Sequence, residues 1–214
     1  YQAILQQHPL HFDSLHLPLG ELVHLLRSKA VLMPGVQVVF VNEKTKDTQQ
    51  WLYMGGLADY LTQNLHGEPL IPLFEGSGFA DKNNESFAEG EGADWAVVFS
   101  EDGSPVRESY VNLIPTTAGG THESGLRDGL FNAVKSFIEL HALLPKGVKL
   151  LPEDVFARAS FILSAKVLDP QFQGQIKEKL NSRDAVRLIS GFVRPALELW
   201  LSSHVEYGNK LAEL

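Results

Sequence analysis

An α+β fold is what this chain of 214 residues predicts. Stretches with apolar residues at helical spacing are interleaved with short β-rich runs, and no internal repeat imposes a solenoid or propeller order. A compact fold of this length buries ~70% of its unfolded surface, enough for a core without staples. Cysteine is absent. That excludes disulfides, zinc-thiolate sites and thiol nucleophiles, and it is compatible with a reducing, cytoplasmic setting. The longest apolar runs, such as "VQVVFV" (36–41) and "WAVVF" (95–99), are too short to span a membrane. With 18 basic against 26 acidic residues and a formal net charge of −8, broad electrostatic affinity for nucleic acid is not expected, although local basic patches remain open.

Each element follows from its residues. In "PLGELVHLLRSKAVLM", Leu22, Leu25, Leu26 and Ala30 recur at helical spacing, Pro18 suits a first turn, and Pro34-Gly35 stops the run. "VQVVFVNEKTKDTQQWLYM" has two β-rich runs around a polar tip and predicts a hairpin, and "GLADYLTQNLHG" predicts a short helix closed by Gly67. Residues 67 to 93 lose periodicity to Gly, Pro, Asn and acids, which places a domain boundary there and predicts domains 1–66 and 67–214. "WAVVFS" and "SYVNLI" flank the turn signal Asp102-Gly103 and predict two antiparallel strands.

From Thr121 a helix is predicted, with Leu126, Leu130, Val134, Phe137, Ile138 and His141 on one face, ending before Pro145 and Gly147. Pro152, Glu153 and Asp154 open a short helix, because acids favour the positive end of its dipole. "SFILSAKV" alternates like a strand, with Phe161, Leu163, Ala165 and Val167 on one side. Between Ser182 and Leu214, Val186, Ile189, Val193, Leu197, Trp200, Leu201 and Val205 fall at helical spacing, and Pro195 is expected to kink or divide that helix.

The chemistry is harder to place. There is no nucleophile elbow and no G-x-x-x-x-G-K-[ST] phosphate loop. His8, His11 and His16 lie close together, but no acid is paired with them at fixed spacing, so they read as solvated and no metal is expected. "AGGTHESGLRDGL" (118–130) is more informative. Its glycines permit a sharp turn, the Thr121 hydroxyl can cap the next helix, and Glu123 suits the first turn. It is either a tight strand-to-helix turn or a surface on which His122 and Arg127 face a partner, a cavity or a nucleic-acid backbone; spacing does not choose. "DPQFQGQIKEKL" (169–180) is too polar for either neighbouring core and reads as a solvated Gln/Lys loop.

Together "ESYVNLIPTTAGGTHESGLRDGL", "LLPKGVKLLPEDV" and "LSAKVLDPQFQGQIKEKL" resemble the second domain of the B subunits of bacterial type II topoisomerases. "FDSLHLPLGELVHLLRSKAVLMPGV" near the start is more similar to the topoisomerase IV branch than to the gyrase branch. The resemblance runs in unbroken order from residue 12 to 214 and leaves residues 1 to 11 unplaced.

The resemblance implies the rear, truncated part of an ATPase domain of the GHKL type (gyrase, Hsp90, kinase, MutL), an α/β sandwich, over residues 1–66. A transducer domain similar to domain 2 of ribosomal protein S5 follows over 67–214. In that family a Q-T-K loop reaches from the transducer into the ATP site, which assigns γ-phosphate contacts to Gln175 and Lys177 and a catalytic charge-stabilising role to Lys177. Ile176 stands where the family usually has threonine. Arg127 is implied as a DNA-cavity residue.

The implied whole is an ATP-hydrolysing isomerase, using ATP and Mg2+, that couples hydrolysis to DNA strand passage, decatenation and relaxation. Its implied partners are the A subunit of topoisomerase IV, DNA and a second copy of itself on ATP binding. The D-G-x-G-[IL], E-G-D-S and D-x-D motifs of the complete family are absent here, so this stretch alone is expected neither to hold ATP tightly nor to cut DNA. The alternatives are a piece of the gyrase B subunit, or a non-enzymatic interaction module of the same fold using an acidic 75–94 loop and a kinked C-terminal helix.

Overall fold

The computed structural model describes residues 3, 4 and 18–213. The candidate metal ligands His8, His11 and His16 lie outside the described residues. The chain divides into two compact units, Tyr1–Met54 and Gly55–Leu214.

The first unit holds helix α1 (Leu19–Leu32) and the antiparallel strands β1 (Val38–Val41) and β2 (Thr48–Trp51). Asn42 closes the predicted hairpin. Its amide donates to the Asp47 carbonyl, and its Oδ1 accepts from the amides of Lys44 and Thr45. α1 buries Ser28, Ala30 and Val31; Leu25, expected on the apolar face, is 38% exposed.

The second unit runs α2 (Gly56–Asn64), β3 (Phe74–Phe79), β4 (Gly92–Phe99), β5 (Arg107–Val111), β6 (Ile114–Pro115), α3 (Thr121–Leu140), α4 (Pro152–Phe156), β7 (Ala159–Lys166), α5 (Asp184–Ser203) and α6 (Val205–Ala212). Its five-stranded sheet has the order β3-β4-β7-β5-β6, with β5 parallel to β7 and every other pair antiparallel. Strand alternation sends Trp95, Val97, Phe99, Phe161 and Leu163 into one core with Leu126 and Leu130 of α3 and Ile189 and Val193 of α5. On the other face the hydroxyls of Tyr60 (α2) and Tyr110 (β5) donate to the two oxygens of Glu108 at 2.6 and 2.7 Å. α2 is thereby tied to the sheet.

Several expectations are corrected. Residues 67 to 93 are not all irregular: β3 lies within them, and the acidic loop shrinks to 80–91. β3 lost its strand signal because its neighbours leave no room for side chains. A β-carbon at Gly76 would stand 2.6 Å from the Trp95 ring, and one at Gly78 would stand 2.6 Å from Phe192. β4 and β5 do not pair with each other. β7 inserts between them, and its parallel contact with β5 is made possible by the α3 crossover. α5 runs unbroken through Pro195, and the division falls at His204.

α3 buries Leu126, Leu130, Val134, Phe137 and Ile138 of its predicted face, whereas His141, expected on the same face, is the exposed C-cap residue beyond the helix. Gly125 and Gly129 let it approach α5 closely: β-carbons there would lie 2.7 Å from the Val186 carbonyl oxygen and 3.0 Å from Val193.

Candidate functional site

The Gln/Lys loop leaves β7 under tight control. Val167 and the Asn112 side chain exchange two hydrogen bonds, at 2.8 and 3.0 Å, and the Leu168 amide donates to Glu91 Oε1 at 2.8 Å. The neck then closes. Gln173 donates to the Lys179 carbonyl, Asn181 to the Gln171 carbonyl, and the Gln171 amide to Ser182 Oγ. Phe172 and Leu180 form an antiparallel bridge; Leu180 is fully buried and Phe172 packs against the core. Above that neck every residue from Gln173 to Lys179 is exposed.

A polar tip on an apolar root is held in place without being covered. Lys177 and Gln175 both sit on that tip. The Lys177 Nζ is 6.0 Å from the centre of the Phe172 ring, the outer limit of a cation–π contact and therefore weak. Ile176 is 69% exposed, so it contributes nothing to the core that would fix the tip.

The second motif meets the first here, which the sequence does not reveal. Ala118 donates to the Glu178 carbonyl at 2.9 Å, Leu180 to the Gly119 carbonyl at 3.0 Å, and Thr121 to the Leu180 carbonyl at 3.1 Å. Gly120 has φ 139° and ψ −159°, a conformation open essentially to glycine alone. The loop's return limb is thus bonded to the turn that opens α3.

Other expected roles on that turn change. Thr121 does not cap α3: the N-cap is Gly120, with no side-chain capping bond, and Thr121 Oγ1 is buried without a partner among the described residues. His122 cannot face a partner, because it is wholly buried. Its Nε2 meets Thr116 Oγ1 at 2.9 Å, Thr116 Oγ1 meets Ser109 Oγ at 2.7 Å, and Ser109 Oγ donates to Glu123 Oε1 at 2.5 Å. Burial holds the imidazole pKa down at about 4. Burial also raises the Glu123 carboxyl, against the Ser109 hydrogen bond and the Arg107 charge.

Ser109 and Thr116 were missed by sequence reasoning. The available signal was a hydroxyl at each end of the mostly apolar stretch Tyr110–Pro115. Arg127, at the surface of α3, forms a salt bridge with Glu153 and stands 5.7 Å from the Phe156 ring centre.

Away from this site, a cavity of about 220 Å³ is lined by His66, Ser100, Glu101, Arg158 and Ser160. It lies at the start of β7, whereas the loop leaves from its end. Among the described residues no group of His, Cys, Asp or Glu could hold a metal ion, and no helix is long and apolar enough to cross a membrane.

The family model for DNA gyrase B matches residues 56–214. The B subunit of DNA topoisomerase 4 from Pseudomonas aeruginosa is 45% identical over 96% of this chain, which spans 32% of that protein's length. The Escherichia coli protein of the same name is 44% identical over 95% of the chain and 31% of its own length. Among solved structures, the topoisomerase IV ATP-binding domain of Francisella tularensis, in complex with a small-molecule inhibitor, superposes with a TM-score of 0.74 at 31% identity, covering 95% of this chain and 54% of that one. The 43K ATPase domain of Thermus thermophilus gyrase B gives 0.75 at 23% identity over 96% of this chain and 54% of that one, which speaks for the fold alone.

Proposed function

The chain belongs to the DNA gyrase B family, and from that premise we propose that it forms part of the ATPase subunit of a bacterial type II topoisomerase. The topoisomerase IV type is favoured by the 45% identity to the Pseudomonas protein. In the intact subunit, residues 55–214 couple ATP binding and hydrolysis to DNA strand passage. The partners are the A subunit of topoisomerase IV, DNA and a second copy of the same ATPase subunit. The observation that carries this reading is the exposed tip with Gln175 and Lys177 on a neck rooted in the core.

The residues fit a terminal phosphate. A lysine ammonium is a compact donor on a flexible stem, and a glutamine amide donates without adding charge. Each charge-assisted hydrogen bond in a closed site contributes roughly 1.5–3 kcal/mol. That exceeds the weak contact with Phe172, so the tip gains more from phosphate than it gives up. Binding of ATP with Mg2+ would need the adenine- and magnesium-binding motifs absent from this sequence, so Lys177 here is one contact of a larger site. Its role is to stabilise negative charge and to report, through the neck, whether the phosphate is present.

Arg127 is the candidate DNA contact of the same unit. Its guanidinium would have to exchange Glu153 for a backbone phosphate.

Replacing Lys177 by Ala in the intact subunit tests the proposal. ATP turnover should fall at least about tenfold, the scale of one lost charge-assisted bond. Unchanged turnover removes the assignment.

A further inference from the structure

Beneath the turn that carries Leu180 lies a run of four polar side chains whose hydrogens all point one way. Glu123, when ionised, only accepts, so Ser109 spends its single proton on Glu123 Oε1 at 2.5 Å. The 2.7 Å contact between Ser109 and Thr116 then has Thr116 as its donor. Thr116 in turn must accept from His122 Nε2–H at 2.9 Å. That leaves His122 Nδ1 a bare lone pair, in keeping with its burial without a partner among the described residues.

The run joins β5, the segment after β6 and the first turn of α3. It also touches the turn directly: Gly119 donates to the Thr116 carbonyl at 2.9 Å, and a β-carbon at Gly119 would stand 2.7 Å from Glu123 Oε2. From below, these side chains fix residues 116–121. From above, the same residues hold the loop through the amides of Ala118, Leu180 and Thr121.

We propose that this buried donor run positions the Gln175/Lys177 tip, with Thr116 and His122 as positioning residues for phosphate contact. The inference rests on the role assigned to Lys177 above, and its test separates the two.

In this chain itself, Thr116→Val removes the central link while Thr116→Ser restores a hydroxyl. Amide exchange at Ala118, Thr121 and Leu180 should quicken about tenfold or more in Thr116→Val and return towards the original rate in Thr116→Ser. The amides of Phe161 and Leu163 in β7 should be unaffected. Unchanged exchange at the three amides, or equal acceleration in β7, overturns the proposal. Should Thr116→Val fail to fold, Ser109→Ala cuts the next link with a smaller change and is read the same way.

In the intact subunit, Thr116→Val should lower kcat for ATP about tenfold with little change in KM, and should add nothing in a Lys177→Ala background. Additive losses would mean the run acts elsewhere and would overturn the proposal. If Lys177→Ala alone leaves turnover intact, it is the reading of Lys177 that fails, and the exchange rates still decide whether the run holds the loop.

Discussion

The backbone of Leu180 lies against Gly120 so closely that a β-carbon at 120 would stand 2.3 Å from the Leu180 carbonyl oxygen. The contact joins the return limb of the Gln/Lys loop to the start of α3. Because Gly120 is also held at φ 139°, Gly120→Ala faces both strain and collision. It should destabilise the chain by roughly 1–3 kcal/mol. Urea unfolding measures the loss, and exchange at the Leu180 and Thr121 amides should show it concentrated at this junction.

The buried imidazole of His122 makes stability depend on acid. Its folded pKa is about 4 against an ordinary 6.5, so between those values the unfolded chain binds the extra proton. Stability contributed by neutral His122 is complete above pH 6.5 and is lost as pH falls towards 4, by on the order of 3 kcal/mol. Glu123 acts in the opposite sense: its raised carboxyl pKa makes the folded state the better proton binder just above 4.5. Asp94, also raised by burial, adds to that opposition. Unfolding free energies of the original chain and of His122→Leu between pH 4 and pH 7 isolate the histidine: the variant should show the shallower rise with pH.

How much of this was legible in the sequence differs from element to element. α3 could be read because Leu126, Leu130, Val134 and Phe137 keep helical spacing on a helix with one buried face. β3 could not, since its glycines make room for Trp95 and Phe192 and so erase the strand pattern. β4 and β5 are the two antiparallel strands expected around Asp102-Gly103, but they are not neighbours, because a turn signal says nothing about a third strand entering between its flanks. Both site motifs stood out as polar, glycine-bearing stretches. Their junction did not, because it is made of main-chain bonds between residues far apart in sequence, and main-chain groups leave no side-chain signature.

The α3–α5 contact makes a separate prediction. Gly129 faces Val193 at a distance that leaves a β-carbon only 3.0 Å. Gly129→Leu should therefore push the helices apart and destabilise the chain by roughly 1–3 kcal/mol or more. Thermal unfolding checks this, and Gly191→Ala on the same α5, where a β-carbon meets nothing within 4 Å, serves as the mild control.

Arg127 and Glu153 form an exposed pair, so Arg127→Gln should change stability by less than about 1 kcal/mol. Its DNA role predicts more: in the intact subunit the variant should lose part of the DNA stimulation of ATP turnover while keeping the turnover measured without DNA. Unaltered stimulation would leave Arg127 as a surface ion pair.

The most direct measurement is amide exchange across residues 173–179 in the intact subunit, with a non-hydrolysable ATP analogue and separately with ADP. If Lys177 and Gln175 sense the terminal phosphate, the analogue slows exchange at the tip, ADP leaves it as fast as in the unliganded protein, and Lys177→Ala abolishes the difference. Equal protection by both nucleotides, or none by either, would contradict the account.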